Sequence, residues 1–130
     1  MVPELSVMDY EKSLHFILGS NVRIQRENSS FAYLEREEVH IMLEQFHDKG
    51  RNSTEPIYPL GRGINFQMEF SEIESIHTNL SAINYPIYKQ IQNSWYDTGE
   101  VLIGRKEFLV QDLDGYLLRF THFIGEKPKC

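Results

Sequence analysis

Cysteine is all but missing from this chain: its one thiol, Cys130, is the final residue. A single cysteine closes no disulfide within the chain and builds no cysteine-based metal site, so it is assigned no role. Long apolar runs are missing too, and the N-terminal residues lack a basic region followed by an apolar one. The expectation is a cytoplasmic protein, in which the glycosylation-like triplets at Asn28 and Asn52 mean little. Basic residues are short as well, with 13 Lys and Arg against 19 Asp and Glu for a net charge of −6. That balance argues against nucleic-acid and anionic-membrane surfaces and favours neutral or cationic ligands, although solubility alone also accounts for it.

The usual catalytic signatures do not occur. No serine stands in a nucleophile elbow, and Gly61-Arg62-Gly63 opens no helix that could receive a phosphate. His15, His40, His47, His77 and His122 show no ligand spacing; the first and fourth fall in predicted helices, the others at strand ends or the surface. Glu35, Glu37, Glu38, Asp112 and Asp114 read as solvated turn carboxylates rather than acid–base pairs.

What is present fits one soluble domain: 130 residues, 41% hydrophobic and 25% charged, enough to bury a core. Alternation over residues 3–7 predicts a strand, and Asp9 then caps a helix to about residue 18, stopped by Gly19. Residues 21–26, 31–36 and 39–45 are three further strand candidates. The Gly- and Pro-rich stretch 48–62 reads as a linker. A strand over 64–70 follows, then a helix from Ser71 to about Ala82 with a capping-box pattern, Ser71 and Glu74. Residues 85–91 and 100–103 are strand-like pieces around a polar connector, 92–99. The clearest signal is EFLVQDLDGYLLRF, residues 107–120: strand, Asp-Leu-Asp-Gly turn, strand.

The order strand, helix, three strands therefore occurs twice, over about 1–47 and 63–125, with 126–130 as a loose tail. Laying Phe31 on Phe108 without a gap matches Val39 to Tyr116, Ile41 to Leu118 and Leu43 to Phe120. Such a repeat implies a unit that buries its apolar face against its copy.

Residues 2–14 (VPELSVMDYEKSL), 31–36 (FAYLER) and 104–120 (GRKEFLVQDLDGYLLRF) resemble the bleomycin-resistance branch of the vicinal oxygen chelate superfamily, which also holds the glyoxalases. The similarity covers residues 2 to about 125. It implies an α+β fold of two βαβββ modules whose curved mixed sheets surround a cleft, in a homodimer. The first helix ends several residues early, and Asp-Leu-Asp-Gly stands where Asp-Pro-Asp-Gly is common.

Enzymes of the superfamily hold a divalent metal on four strands, and carrying those positions over gives Val2, Met42, Asn65 and Arg119. An aliphatic group, a thioether and a guanidinium make no such site, so neither a metal nor another cofactor is expected. A two-residue slip of register brings in Glu44 or Gln67, and on these non-standard ligands rests the alternative of a glyoxalase-like lyase or ring-cleaving dioxygenase.

Strand parity sets Pro3, Leu5, Val7, Phe66, Met68 and Phe70 under the helices, and Glu4, Ser6, Asn65, Gln67 and Glu69 on the other face. The metal-position mapping adds Met42, Glu44 and Arg119, while Phe31, Tyr33, Trp95 and Tyr96 offer flat rings. An acidic cleft edged with aromatics suits a planar or cationic organic molecule, as bleomycin-type glycopeptides are. Trp95, in the polar connector, is the foremost ligand contact. The expectation is a non-catalytic homodimer that sequesters such a ligand, with no nucleic-acid or membrane partner; an interaction module without a small ligand is a third reading.

Overall fold

The alternation at Leu5 and Val7 becomes the first of eight strands in the computed structural model, which describes residues 1–19, 22–47 and 56–129. The elements are β1 (Glu4–Val7), α1 (Tyr10–Leu18), β2 (Arg23–Glu27), β3 (Phe31–Arg36), β4 (Val39–Gln45), β5 (Asn65–Glu69), α2 (Glu74–Ala82), β6 (Lys89–Asp97), β7 (Val101–Gln111) and β8 (Leu117–Pro128). They form two four-stranded mixed sheets, ordered β1-β4-β3-β2 and β5-β8-β7-β6. In each sheet the first strand runs parallel to its neighbour and the other pairs are antiparallel. This is the βαβββ unit, built twice. Among the described residues, no helix is long and apolar enough to cross a membrane.

Both helices lie on the apolar side of the strands. Leu5, Val7, Ala32, Leu34, Ile41 and Leu43 join one buried cluster with Met68, Phe108, Val110, Leu118 and Phe120 of the second sheet. Phe108 stacks on Phe120 at 5.1 Å between ring centres, and Phe70 on Phe120 at 6.2 Å. Asp9 caps α1, accepting from the Lys12 N–H at 3.1 Å.

The capping box expected for α2 does not form. Glu37, in the β3–β4 turn of the other module, accepts from the Ser71 N–H at 2.9 Å, and α2 starts three residues later without a side-chain cap at Ile73. The arrangement is reciprocal: in the β7–β8 turn, Asp114 accepts from the Met8 N–H at 3.3 Å and from the Ser13 hydroxyl at 3.4 Å. Each module's hairpin turn thus grips the strand-to-helix junction of the other. Tyr116 adds a bond from its hydroxyl to the Ser6 carbonyl at 2.9 Å.

Three other expectations are corrected. Phe31 and Phe108 are not equivalent: Phe31 pairs with Glu44, whereas Phe108 pairs with Phe120 in the core. The first turn closes between Arg36 and Val39, but the second holds one more residue, with Asp112 N–H donating to Tyr116 O at 2.9 Å. The ungapped match holds for Ile41/Leu118 and Leu43/Phe120 and slips by one across the turn, so Ala32 is the counterpart of Phe108; a one-residue slip exchanges the two faces of a strand. Residues 92–97 are strand, paired from Gln92↔Glu107 to Asp97↔Leu102, because an edge strand with solvent on both faces needs no alternation. Residues 126–128 are not loose either, since β8 stays paired as far as Val101↔Pro128. Of the linker, 48–55 lies outside the described residues, as does Cys130; beyond it Leu60 is buried and donates to Asp114 O at 2.8 Å.

Candidate functional site

The face of each sheet turned away from the helices carries the polar side chains. On the second sheet, β5 contributes Asn65, Gln67 and Glu69, which pair in register with Leu117, Arg119 and Thr121 of β8. Glu107 and Leu109 of β7 lie opposite Thr121 and Arg119. At the centre is Glu107, only 2% exposed. Its Oε1 accepts from Arg119 Nη1 at 3.1 Å and from the Tyr96 hydroxyl. Arg119 Nη1 also donates to Tyr96 Oη at 3.3 Å. The bond to Glu107 raises the Tyr96 pKa, with burial adding to it, so the phenol remains a donor. Among the described residues, Glu107 Oε2, Arg119 Nε and Thr121 Oγ1 are buried without a hydrogen-bond partner. Next to this network Glu69 forms an ion pair with Arg105. Two carboxylates therefore meet two guanidinium groups, and this face is electrically balanced where an excess of acid was expected.

The first sheet is more acidic by one charge, with Glu4, Glu35 and Glu44 against Arg23 and Arg26 of β2. Its open face presents Glu4 and Ser6 from β1, His40, Met42 and Glu44 from β4, and Phe31, Tyr33 and Glu35 from β3, all aligned by the pairings Glu4↔Met42↔Tyr33 and Ser6↔Glu44↔Phe31. The Phe31 ring carries the Arg26 guanidinium 4.8 Å from its centre. Glu35 is a buried strand residue rather than a solvated turn carboxylate, and its contact with Arg23 lowers its pKa. Asp112 and Asp114 are likewise buried, with their oxygens spent on backbone and hydroxyl donors.

A pocket of about 380 Å³ lies between β4 and β5, and His40, Asn65 and Gln67 help to line it. A larger groove, about 880 Å³, runs between α1 and α2 on the helix side, over Phe16, Leu80 and Ile83.

The structure brings together Tyr96, Arg119, Asn65, Gln67 and Glu69 on one open face, and Glu4, Glu44, Phe31 and Tyr33 on the other. Trp95 stands apart. It faces the opposite side of β6 from Tyr96, packs over Gly104, and has Lys127 Nζ 4.1 Å above its ring. Sequence reasoning missed Glu107 and Arg105; the signal was their parity with Arg119 and Thr121 across the hairpin.

No protein-family model matches the sequence, and no curated protein does. Solved structures do. A glyoxalase/bleomycin resistance protein/dioxygenase from Alicyclobacillus acidocaldarius matches with a TM-score of 0.66, at 12% identity over 96% of this chain and 91% of that one. TioX from Micromonospora sp. ML1 matches at 0.68, with 18% identity over 96% of each chain. This chain has the fold of the glyoxalase/bleomycin resistance/dioxygenase superfamily. A further superfamily member, from Vibrio splendidus 12B01, is 30% identical over 93% of this chain and 95% of its own, with a TM-score of 0.43.

The superfamily's divalent metal does not fit the residues found here. Of the four carried-over positions, Val2 and Met42 offer no hard donor, and Arg119 brings a fixed positive charge held in place by Glu107. The rows that share a register, Glu4 with Met42 and Gln67 with Arg119, supply one carboxylate and one amide beside a thioether and a guanidinium. A cation there would meet Arg119 at close range.

Proposed function

We propose that this protein is a non-catalytic binding protein that takes up a small organic molecule on the open faces of its two sheets. The observation that carries this reading is Glu107, a buried carboxylate that fixes Tyr96 and Arg119 in one orientation on an otherwise open strand surface. Holding a ring and a planar guanidinium in place before the ligand arrives lowers the ordering cost of binding. Asn65 and Gln67 add amides at the pocket edge, and Phe31, Tyr33, Glu4 and Glu44 add rings and negative charge from the first sheet. The ligand class that suits such a surface is a flat aromatic molecule with a cationic arm, of which a bleomycin-type antibiotic is the model compound. The acidic first sheet supports the cationic arm, while the balanced second sheet supports hydrogen bonding to a polar, planar part.

The homodimer belongs to the same proposal, supported by exposed Ile57, Tyr58, Ile83 and Tyr88. Sedimentation of a 15.3 kDa monomer at all micromolar concentrations would remove the dimer and leave the binding reading intact.

Titration calorimetry with metal-free bleomycin tests the ligand. Saturable binding at micromolar concentration, weakened about tenfold or more by Tyr96→Ala, is expected. A folded protein that gives no heat and no change in Trp95 emission would overturn the antibiotic reading.

A further inference from the structure

On the first sheet a hydroxyl, an imidazole and a carboxylate stand in sequence. Tyr33 Oη lies 2.9 Å from His40 Nδ1, and His40 Nε2 lies 3.7 Å from Glu35 Oε2. β3 and β4 impose the order: Glu35 is the direct partner of His40, and Tyr33, two residues before Glu35, projects from the same face one step along. The two rings meet edge to face, 5.6 Å between centres. Glu35 is 8% exposed and anchored from behind by Arg23, so the carboxylate is fixed in position and ionised. With Nδ1 facing a phenol O–H and Nε2 facing a carboxylate, the favoured neutral tautomer carries its proton on Nε2 and offers the Nδ1 lone pair to Tyr33.

We propose that Tyr33 is an activated phenol, with His40 as its base and Glu35 as the residue that positions His40, and that it reacts with small electrophiles of the acyl or sulfonyl class. The roles follow from geometry: a hydroxyl becomes a nucleophile when a base accepts its proton and a third group holds that base in the right tautomer. In the step, the Tyr33 oxygen bonds to the acyl carbon or sulfonyl sulfur, the leaving group departs with the bonding electron pair, and the phenol proton passes to His40 Nδ1. The imidazolium so formed is stabilised by Glu35. His40 also lines the 380 Å³ pocket with Asn65 and Gln67, while Tyr33 is half-buried on the open face, where a small reagent meets it from solvent. This inference does not depend on the binding reading above, because nothing in it requires Tyr96, Arg119 or a bound antibiotic.

The test is labelling of the whole protein with benzenesulfonyl fluoride, in which fluoride leaves and an aryl sulfonate ester forms, read site by site by peptide mass spectrometry. Tyr58 and Tyr88, 61% and 63% exposed, serve as ordinary phenols in the same tube. Tyr33 is expected to label about tenfold faster than either. His40→Gln, which keeps a polar side chain on the strand, should drop Tyr33 to the reference rate. Glu35→Gln should give a smaller loss, and adding it to His40→Gln should slow Tyr33 no further, a dependence on His40 that a merely structural role would not produce. A cooperative urea transition retained in each variant shows that the fold is kept. Tyr33 reacting no faster than Tyr88, or as fast in His40→Gln as in the parent protein, would overturn the proposal.

Discussion

Arg119 and Glu107 are joined across the β7–β8 hairpin, Nη1 to Oε1 at 3.1 Å, with Glu107 buried and Arg119 a quarter exposed. A buried carboxylate costs free energy unless it is paired, and removal of one partner leaves the other's charge exposed to that cost. Glu107→Gln is expected to lower stability by about 1–3 kcal/mol, read as a shift in the urea midpoint at constant slope. Replacing both groups, as Glu107→Leu with Arg119→Met, should recover much of that loss, since apolar groups of similar shape carry no unmet charge. A double variant as unstable as the sum of its singles would show that the pair is not coupled.

Asp112 makes stability depend on pH. Burial raises its pKa to about 6, against bonds from the Tyr116 and Asp114 N–H groups that favour the charged form. The folded state holds this proton to higher pH than the unfolded chain, whose aspartate titrates near 4. The stabilisation is thus complete below about pH 4 and is lost as pH rises through about 6, a change of about 2–3 kcal/mol. Asp114 is shifted in the same direction, mainly by burial. Asp112→Asn can accept the same two N–H bonds without the buried charge, so at pH 7 it should be more stable than the parent by about 1–2 kcal/mol. Urea midpoints at pH 5 and pH 7 check both points; equal midpoints for parent and variant at pH 7 would contradict the buried charge.

Gly115 and Gly99 separate backbone strain from steric conflict. Both have positive φ, +90° and +99°, but a Cβ on Gly115 would sit 2.5 Å from Pro59 Cβ and 2.7 Å from Pro59 Cα, whereas one on Gly99 meets nothing within 4 Å. Gly99→Ala should cost about 1 kcal/mol, the price of the left-handed conformation alone. Gly115→Ala must also displace the 58–60 segment and should cost about 3 kcal/mol, visible as a fall in Tm. Comparable losses at the two positions would mean that the segment gives way freely.

The contrast between what could and could not be seen in the sequence follows the same physics. Leu5 and Val7, or Leu118 and Phe120, announce their strands because one face is buried and parity must be kept. The edge strand β6 is exposed along both faces, so Trp95 passes for a loop residue although it pairs with Gly104. Ser71 and Glu74 carry a valid local capping pattern that Glu37, 34 residues away in sequence, overrides. The Phe31–Phe108 match fails for want of one residue in a turn, which only the register reveals. In the candidate site, Gln67 and Asn65 were recoverable from parity, because β5 alternates cleanly, whereas Arg119 came from the metal positions that the resemblance implies. Glu107 was not, since nothing local distinguishes a carboxylate that will be buried from one that will be solvated; its environment comes from Tyr96 and Arg119 on two other strands.

Trp95 provides the most direct optical check on this edge of the second sheet. Its ring lies over Gly104, where a Cβ would come within 2.6 Å of Cζ3, 2.7 Å of Cη2 and 2.9 Å of Ile124 Cγ1. The absence of a side chain is therefore what lets the indole lie flat on β7 beneath Lys127. Gly104→Ala should push the ring outward, shift its emission to longer wavelength and lower stability by about 1–3 kcal/mol. Lys127→Met removes the cation but keeps a chain to cover the ring, so it should leave the emission wavelength nearly unchanged and cost about 0.5–1 kcal/mol. Because Trp95 and Tyr96 point to opposite faces of β6, Gly104→Ala should also leave the Glu107–Tyr96–Arg119 network in place. Bleomycin affinity that survives Gly104→Ala but falls in Tyr96→Ala would put the ligand on the Tyr96 face; the reverse pattern would move it to the indole.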